Sequence, residues 1–129
     1  MNKIIVEVSI GELLDKISIL EIKQEKIKDI DKLKFINNEY SILKDQLKKN
    51  VKSDDRLNTL YQSLKEINTK LWIIEDDKRQ CEKDKNFGEK FVKLSRDVHF
   101  LNDDRAKIKL EINNLTGSAI KEIKEYTNY

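Results

Sequence analysis

The sequence predicts an all-α protein, an antiparallel helical bundle made of two helical hairpins. The 129-residue chain contains no proline and only three glycines, so the residue types that most often interrupt helices are nearly absent. Apolar residues recur every three or four positions along four long stretches, as expected of amphipathic helices. The length and the 38% apolar content correspond to a single domain over residues 1–129.

The first helix has the clearest start signal. Residues 4–8 are β-branched and strand-like, but no second segment pairs with them, so we expect an extended segment that lies on the helices or pairs with another molecule. The run from Ser9 to Glu12 has the pattern of a capping box. It places the start of helix 1 at Ser9, and the apolar pattern continues to about Asp29.

Polar breaks divide the rest of the chain into further helices. Asp31 is predicted to cap helix 2, whose apolar residues follow the heptad spacing of a coiled coil. Ser53 is predicted to cap helix 3, and Asn86 to cap helix 4. Gly117 is predicted to end helix 4 because glycine tolerates a left-handed conformation. A short last helix is predicted over residues 118–125.

The two predicted hairpins differ in length. Helices 1 and 2 have about 20 residues each, and helices 3 and 4 have closer to 30, so residues 73 to about 100 project past the first hairpin. This part of the chain is rich in apolar residues on every side, and such a surface is rarely left exposed. We therefore expect a homodimer, or helices that kink over the end of the bundle. The dimer contact would use Trp72, Ile73, Phe87, Phe91 and Val92.

Composition excludes several classes of protein. Lys+Arg 26 against Asp+Glu 24 leaves a net charge of +2, without the basic excess of a dedicated nucleic-acid binder. Cys81 is the only cysteine, which precludes an intrachain disulfide and fits a reducing compartment. No apolar run reaches the length of a signal-peptide core or a membrane span. We expect a cytoplasmic protein with neither a nucleic-acid nor a membrane partner.

Two charged clusters are the candidates for a functional site. They occupy residues 75–79 of helix 3 and residues 102–105 of helix 4, and Asp15 on helix 1 is expected nearby. Arg105 falls on the heptad stripe, so we expect it to face a carboxylate from Glu75, Asp76 or helix 1. The candidate ligand-binding residues are Asp15, Glu75, Asp76, Arg79, Asn102, Asp103 and Arg105.

Other interpretations of these clusters remain open. The simplest is that they contain ordinary helix-surface ion pairs between residues four positions apart, Glu75 with Arg79 and Asp103 with Lys107. Glu12 and Asp15 form an imperfect version of a carboxylate pair that holds Mg²⁺ in all-helical nucleoside triphosphate pyrophosphatases. No clean second pair accompanies it, so the cofactor is unknown, with Mg²⁺ as one alternative. A helical chorismate mutase would need several arginines and lysines that face inward. The sequence does not favour this enzyme, because no arginine precedes Arg56.

Several motifs resemble a known family. They are GELxDKIxILEIK at residues 11–23, WxxEDxxR at residues 72–79 and NDxR at residues 102–105. The chain resembles, over nearly its whole length, a family of uncharacterised bacterial and phage proteins, a domain of unknown function. The resemblance implies that these polar positions beside the core have roles that packing alone does not require.

Two functions follow from the sequence. The first is a small cytoplasmic helical module for binding or assembly. The alternative is an enzyme or ligand-binding protein acting on an anionic or metal-bound small molecule, such as a nucleotide or sugar phosphate, where helices 1, 3 and 4 converge.

Overall fold

The computed structural model describes residues 2–129 and confirms an all-α helical bundle. The helices are α1 (Ile10–Lys26), α2 (Ile30–Asn50), α3 (Asp55–Asp84) and α4 (Glu89–Thr116). As predicted, the second pair is longer, with 30 and 28 residues against 17 and 21. Residues 2–8 are exposed and belong to no helix or strand.

The capping predictions were correct for α1 and for the end of α4. The Ser9 side chain accepts a hydrogen bond from the backbone N–H of Glu12, and Ser9 itself is buried. Gly117 adopts the left-handed conformation, with φ of 65°. Both signals are local in sequence, since they depend on side chains and backbone within one turn.

The predicted N-cap residues of the other three helices were wrong by one or two positions. Asp29, rather than Asp31, caps α2 by accepting from the N–H groups of Asp31 and Lys32, and this also ends α1 earlier than expected. Asp54, rather than Ser53, caps α3. Gly88 occupies the N-cap position of α4, while the Asn86 side chain only accepts from the Gly88 N–H.

The predicted helix over residues 118–125 is absent, and this segment is irregular. Its polar groups bond to other parts of the chain. The Ser118 hydroxyl accepts from the Ile10 N–H and donates to the Ile120 carbonyl, and Glu122 pairs with Lys109 on α4. These contacts hold the segment against the bundle without helical hydrogen bonds.

Helix α1 lies at the centre of the molecule and contacts each of the other helices, whereas the backbone of α2 lies close to that of α1 alone. Gly11 and Asp15 of α1 contact α4, and Ser18 contacts α3. The central core cluster consists of Leu14, Leu57, Leu64 and Ile112. None of the helices in the described part of the chain combines the length and the apolarity that a transmembrane span requires.

Candidate functional site

Asp15 is the most deeply buried charged residue of the candidate site, with 1% of its surface exposed. Its Oδ1 accepts hydrogen bonds from Arg105 Nε and Asn68 Nδ2, each at 2.9 Å, and its Oδ2 accepts from Arg105 Nη2. The sequence-based prediction that Arg105 faces a carboxylate is therefore confirmed, and the carboxylate comes from helix α1. A two-bond pairing of this kind fixes the orientation of the guanidinium plane.

A close contact between α1 and α4 positions this pair. A Cβ atom on Gly11 would lie 2.6 Å from the Lys109 carbonyl oxygen, so only glycine allows the two backbones to approach this closely. The Gly11 N–H also donates to Asn113 Oδ1 at 2.7 Å. Asp15 lies one turn after Gly11, and Arg105 lies one turn before Lys109. The antiparallel contact thus brings the two charges together.

Asn68 on α3 completes the setting of Asp15. Its Nδ2 also donates to the Ser18 hydroxyl at 2.8 Å, and that hydroxyl donates to the Asp15 carbonyl oxygen at 2.7 Å. Asn68 and Ser18 are both buried. Neither residue was predicted from the sequence to belong to the site. The one feature that could have indicated them is that each is a polar residue next to the apolar stripe of its helix.

The surroundings of Asp15 favour its ionised form. Burial alone raises the pKa of this carboxyl, but the hydrogen bonds from Arg105 and Asn68 and the charges of Arg105 and Lys109 outweigh burial and lower the pKa below its ordinary value. The same hydrogen bonds to Asp15 raise the pKa of the Arg105 guanidinium against the opposing effect of burial. The carboxylate and guanidinium therefore form a charged pair at neutral pH.

Lys109 forms a second ionic group next to this pair. Its Nζ lies 2.7 Å from Glu12 Oε2, 3.3 Å from Glu122 Oε2 and 3.8 Å from Asp15 Oδ2. Burial lowers the pKa of Lys109, but its hydrogen bond to Glu12 and the three nearby carboxylates raise the pKa overall. Lys109 was not predicted from the sequence. It joins α1, α4 and the C-terminal segment.

An open cleft of about 360 Å³ lies beside Arg105, and we call it the Trp72 cleft. Its apolar wall consists of Ile19, Ile22, Leu71 and Trp72. Its polar groups are Asn68, Glu75, Asp76, Arg79 and Arg105. The structure therefore brings four of the seven predicted site residues to one cleft, with Asp15 behind it as the partner of Arg105.

The surface ion pairs of the simpler interpretation are not formed among residues 2–129. Neither Glu75 with Arg79 nor Asp103 with Lys107 comes within ion-pair distance. Glu75, Asp76 and Arg79 are exposed at the cleft. Their charged groups are thus available to a molecule that enters from solvent.

The remaining two predicted residues lie outside the Trp72 cleft. Asn102 Oδ1 is 3.5 Å from Arg105 Nη1, and Asn102 lines a smaller cleft of about 230 Å³ together with Lys109 and Glu122. Asp103 accepts a hydrogen bond from the Tyr129 hydroxyl and lines neither cleft. Asp103 is therefore separated from the other site residues.

The Arg105 guanidinium can accommodate a further hydrogen-bond acceptor, such as an anion. The Arg105 side chain is 29% exposed, and in the described part of the chain its Nη1 makes only the long contact to Asn102, so guanidinium donors remain for that acceptor. Within residues 2–129, no group of three or more histidine, cysteine, aspartate and glutamate side chains is arranged to hold a metal ion. Asp15 already accepts from Arg105 and Asn68.

Comparison with known proteins assigns the chain to a family. The model described as "Family of unknown function (DUF6165)" matches residues 4–129. No curated protein and no solved structure matches the chain. Because the match covers nearly the whole sequence, the chain belongs to this family of unknown function.

Proposed function

Since family membership supplies no activity, we propose from the geometry that this protein is a small helical binding module whose Trp72 cleft takes an anionic, hydroxyl-bearing small molecule. Sugar phosphates and nucleotides have this chemistry. One observation carries the proposal. Arg105 is held in place by a buried carboxylate, and part of its guanidinium faces an open cleft.

The fixed guanidinium is the anion-binding group of the proposed site. Arginine matches the geometry of phosphate and carboxylate oxygens, and its planar group is most effective when it is oriented before the ligand arrives. The buried Asp15 provides that orientation, so little side-chain entropy remains to be lost on binding. Arg79 supplies a second positive charge on the same cleft.

The other groups of the cleft suit the rest of such a ligand. The half-buried Trp72 offers a flat apolar surface on which a sugar or base can pack. The exposed carboxylates of Glu75 and Asp76 can accept hydrogen bonds from ligand hydroxyl groups. They also disfavour a purely anionic ligand such as free phosphate. This combination favours a ligand that has both phosphate and hydroxyl groups.

The geometry gives Asp15 no role as a general base. A general base needs a free pair of electrons within reach of the substrate. The Asp15 carboxylate is buried, and its oxygens already accept hydrogen bonds from Arg105 and Asn68. Asp15 therefore acts in this proposal as a positioning residue for Arg105.

A thermal-shift screen tests the proposed function. The compounds are glucose 1-phosphate, AMP, uridine diphosphate, inorganic phosphate and Mg²⁺, and the variants are Arg79→Gln and the control Arg96→Gln. Both arginines are exposed on the α3–α4 hairpin, but Arg96 does not line the cleft. We expect at least one hydroxyl-bearing phosphate to stabilise the wild type and Arg96→Gln, and to stabilise Arg79→Gln less. The proposal is wrong if no compound stabilises the wild type, or if both variants respond alike.

Self-association is the second candidate function, and exposed apolar residues on the α3–α4 hairpin favour it. Ile73, Phe87 and Val92 are exposed by 47%, 51% and 52%. Phe87 packs edge-on against Phe91 at a ring distance of 5.5 Å, which gives the tip of the hairpin an aromatic surface. A second copy covering this surface would produce the homodimer predicted from the sequence.

A further inference from the structure

A second cleft, which shares no lining residue with the Trp72 cleft, lies between α1, α2 and α3 and has a volume of about 240 Å³. Its floor is made by Leu14, Ile17, Leu47, Val51, Leu57 and the ring of Tyr61. Lys44, Lys48 and Lys52 lie along one edge. We call it the lysine-rimmed cleft.

The three lysines bring positive charge to one edge of the cleft. Lys44 and Lys48 are four residues apart and lie on one side of α2, and Lys52 lies in the segment after the helix and lines the same cleft. In the part of the chain that the structure describes, none of the three has a carboxylate within ion-pair distance, whereas the neighbouring Lys49 pairs with Asp45 at 2.9 Å. No acidic residue is among those that line this cleft. The edge is therefore a local concentration of uncompensated positive charge.

An apolar floor beside unpaired cations is complementary to one chemical class. We propose that the lysine-rimmed cleft binds the acyl chain of a small anionic amphiphile, with the anionic head group on Lys44, Lys48 and Lys52. A carboxylate and a phosphate head satisfy the same lysines, because an ammonium group acts on either as a point charge. The limited volume accommodates one short chain.

The proposal fixes how affinity depends on chain length. Each methylene removed from water contributes about 0.8 kcal/mol, which corresponds to about a fourfold increase in affinity. The gain ends when the chain fills the cleft. We therefore expect affinity to rise about fourfold per carbon over the shorter members of a series and then to level off.

Calorimetric titration of the full chain with straight-chain alkanoates of six to twelve carbons, below their micelle concentrations, is the first test. Alkyl phosphates of equal length distinguish a phosphate head from a carboxylate head, and alkylammonium ions test the sign of the charge. We expect the anions to bind with the stated dependence on length and the cations to bind at least tenfold more weakly. The proposal is wrong if the affinity does not depend on chain length, or if alkylammonium ions bind as tightly as the anions.

Variants on the same helix provide the matched control. Lys48→Glu with Lys52→Glu should weaken alkanoate binding at least tenfold, whereas Lys32→Glu with Lys34→Glu, equally exposed near the start of α2, should leave it unchanged. Val51→Trp places an indole against the cleft and reduces its volume. In this variant the affinity should stop rising at a shorter alkanoate chain length than in the wild type. An equal loss of alkanoate affinity in both double-lysine variants would show that the lysine-rimmed cleft is not the binding site. Loss of binding in Ile4→Asp with Ile5→Asp would also overturn the proposal, because that would identify the exposed N-terminal segment as the surface that binds the alkanoate.

Discussion

At the scale of residues, the pair formed by Asp15 and Arg105 is the feature on which both stability and the proposed binding depend. Asp15 is 1% exposed, and its oxygens receive hydrogen bonds from Arg105 and Asn68. In the described part of the chain, no buried side-chain polar atom lacks a hydrogen-bond partner. Removing one partner therefore leaves an uncompensated charge or donor inside the protein.

We expect Arg105→Ala to lower the free energy of unfolding by about 3–5 kcal/mol, because it leaves the Asp15 carboxylate buried without its cation. Urea denaturation followed by circular dichroism measures this difference. Arg96→Ala is the control; Arg96 is exposed and lies 6.0 Å from the Phe100 ring, so its loss should change stability by less than about 1 kcal/mol. Equal effects of the two substitutions would show that the buried pair does not stabilise the fold.

The lowered pKa of Asp15 predicts how stability depends on pH. In the unfolded chain the carboxyl titrates near its ordinary value of 3.8, and in the folded protein it titrates lower. The stabilisation is complete above the unfolded pKa and declines as the pH falls through the folded pKa. We expect the stability advantage of the wild type over Asp15→Asn to be smaller at pH 3 than at pH 6. An advantage that stays constant over this range would contradict the assignment.

The sequence predicted part of this site. The position of Arg105 on the heptad stripe was sufficient to predict a carboxylate partner, because a guanidinium among apolar residues needs one. The sequence did not identify which carboxylate pairs with Arg105. Asp15 is 90 residues away from Arg105, and the pairing depends on how α1 packs on α4. Asn68 and Lys109 were missed because polar residues beside an apolar stripe are equally compatible with burial and exposure.

At the scale of elements, the contact between α1 and α4 sets the geometry of the site. We expect Gly11→Ala to destabilise the protein by about 1–3 kcal/mol, because its Cβ atom would lie 2.6 Å from the Lys109 carbonyl oxygen and would force the helices apart. Gly88→Ala is the matched control. A Cβ there has its nearest neighbour at 3.5 Å, and the backbone φ is −80°, so stability should stay within about 1 kcal/mol. Thermal denaturation of both variants measures the difference, and a Gly11→Ala variant as stable as wild type would rule out the close contact.

Local chemistry explains which element boundaries were predictable. Ser9 and Gly117 were identified because cap and left-handed signals act within one turn. Asp29 and Asp31 are both good N-cap residues, and shifting the start by two positions barely changes the buried face of α2. The last segment was wrongly predicted to be helical because its polar groups bond to residues distant in sequence, such as Ile10 and Lys109.

At the scale of the whole molecule, the exposed apolar residues of the α3–α4 hairpin, Ile73, Phe87 and Val92, lead us to expect a homodimer. Ile73→Lys should dissociate that dimer because it places a charge in an apolar contact. Phe35→Lys on α2 is the control, since Phe35 is 80% exposed and lies outside the hairpin. Light scattering at tens of micromolar protein distinguishes the two states. A monomeric wild type, or equal dissociation by both substitutions, would exclude this interface.

We propose that Arg105, held by Asp15, binds an anion in the Trp72 cleft. Nuclear magnetic resonance of the arginine Nε–H and tryptophan Nε1–H groups during titration with glucose 1-phosphate and AMP tests it directly, because the chain has only four arginines and one tryptophan. We expect saturable shifts at Arg105, Arg79 and Trp72, with Arg56 and Arg96 unchanged. Saturable shifts confined to Arg56 or Arg96, or no saturable shift with either compound, would contradict it.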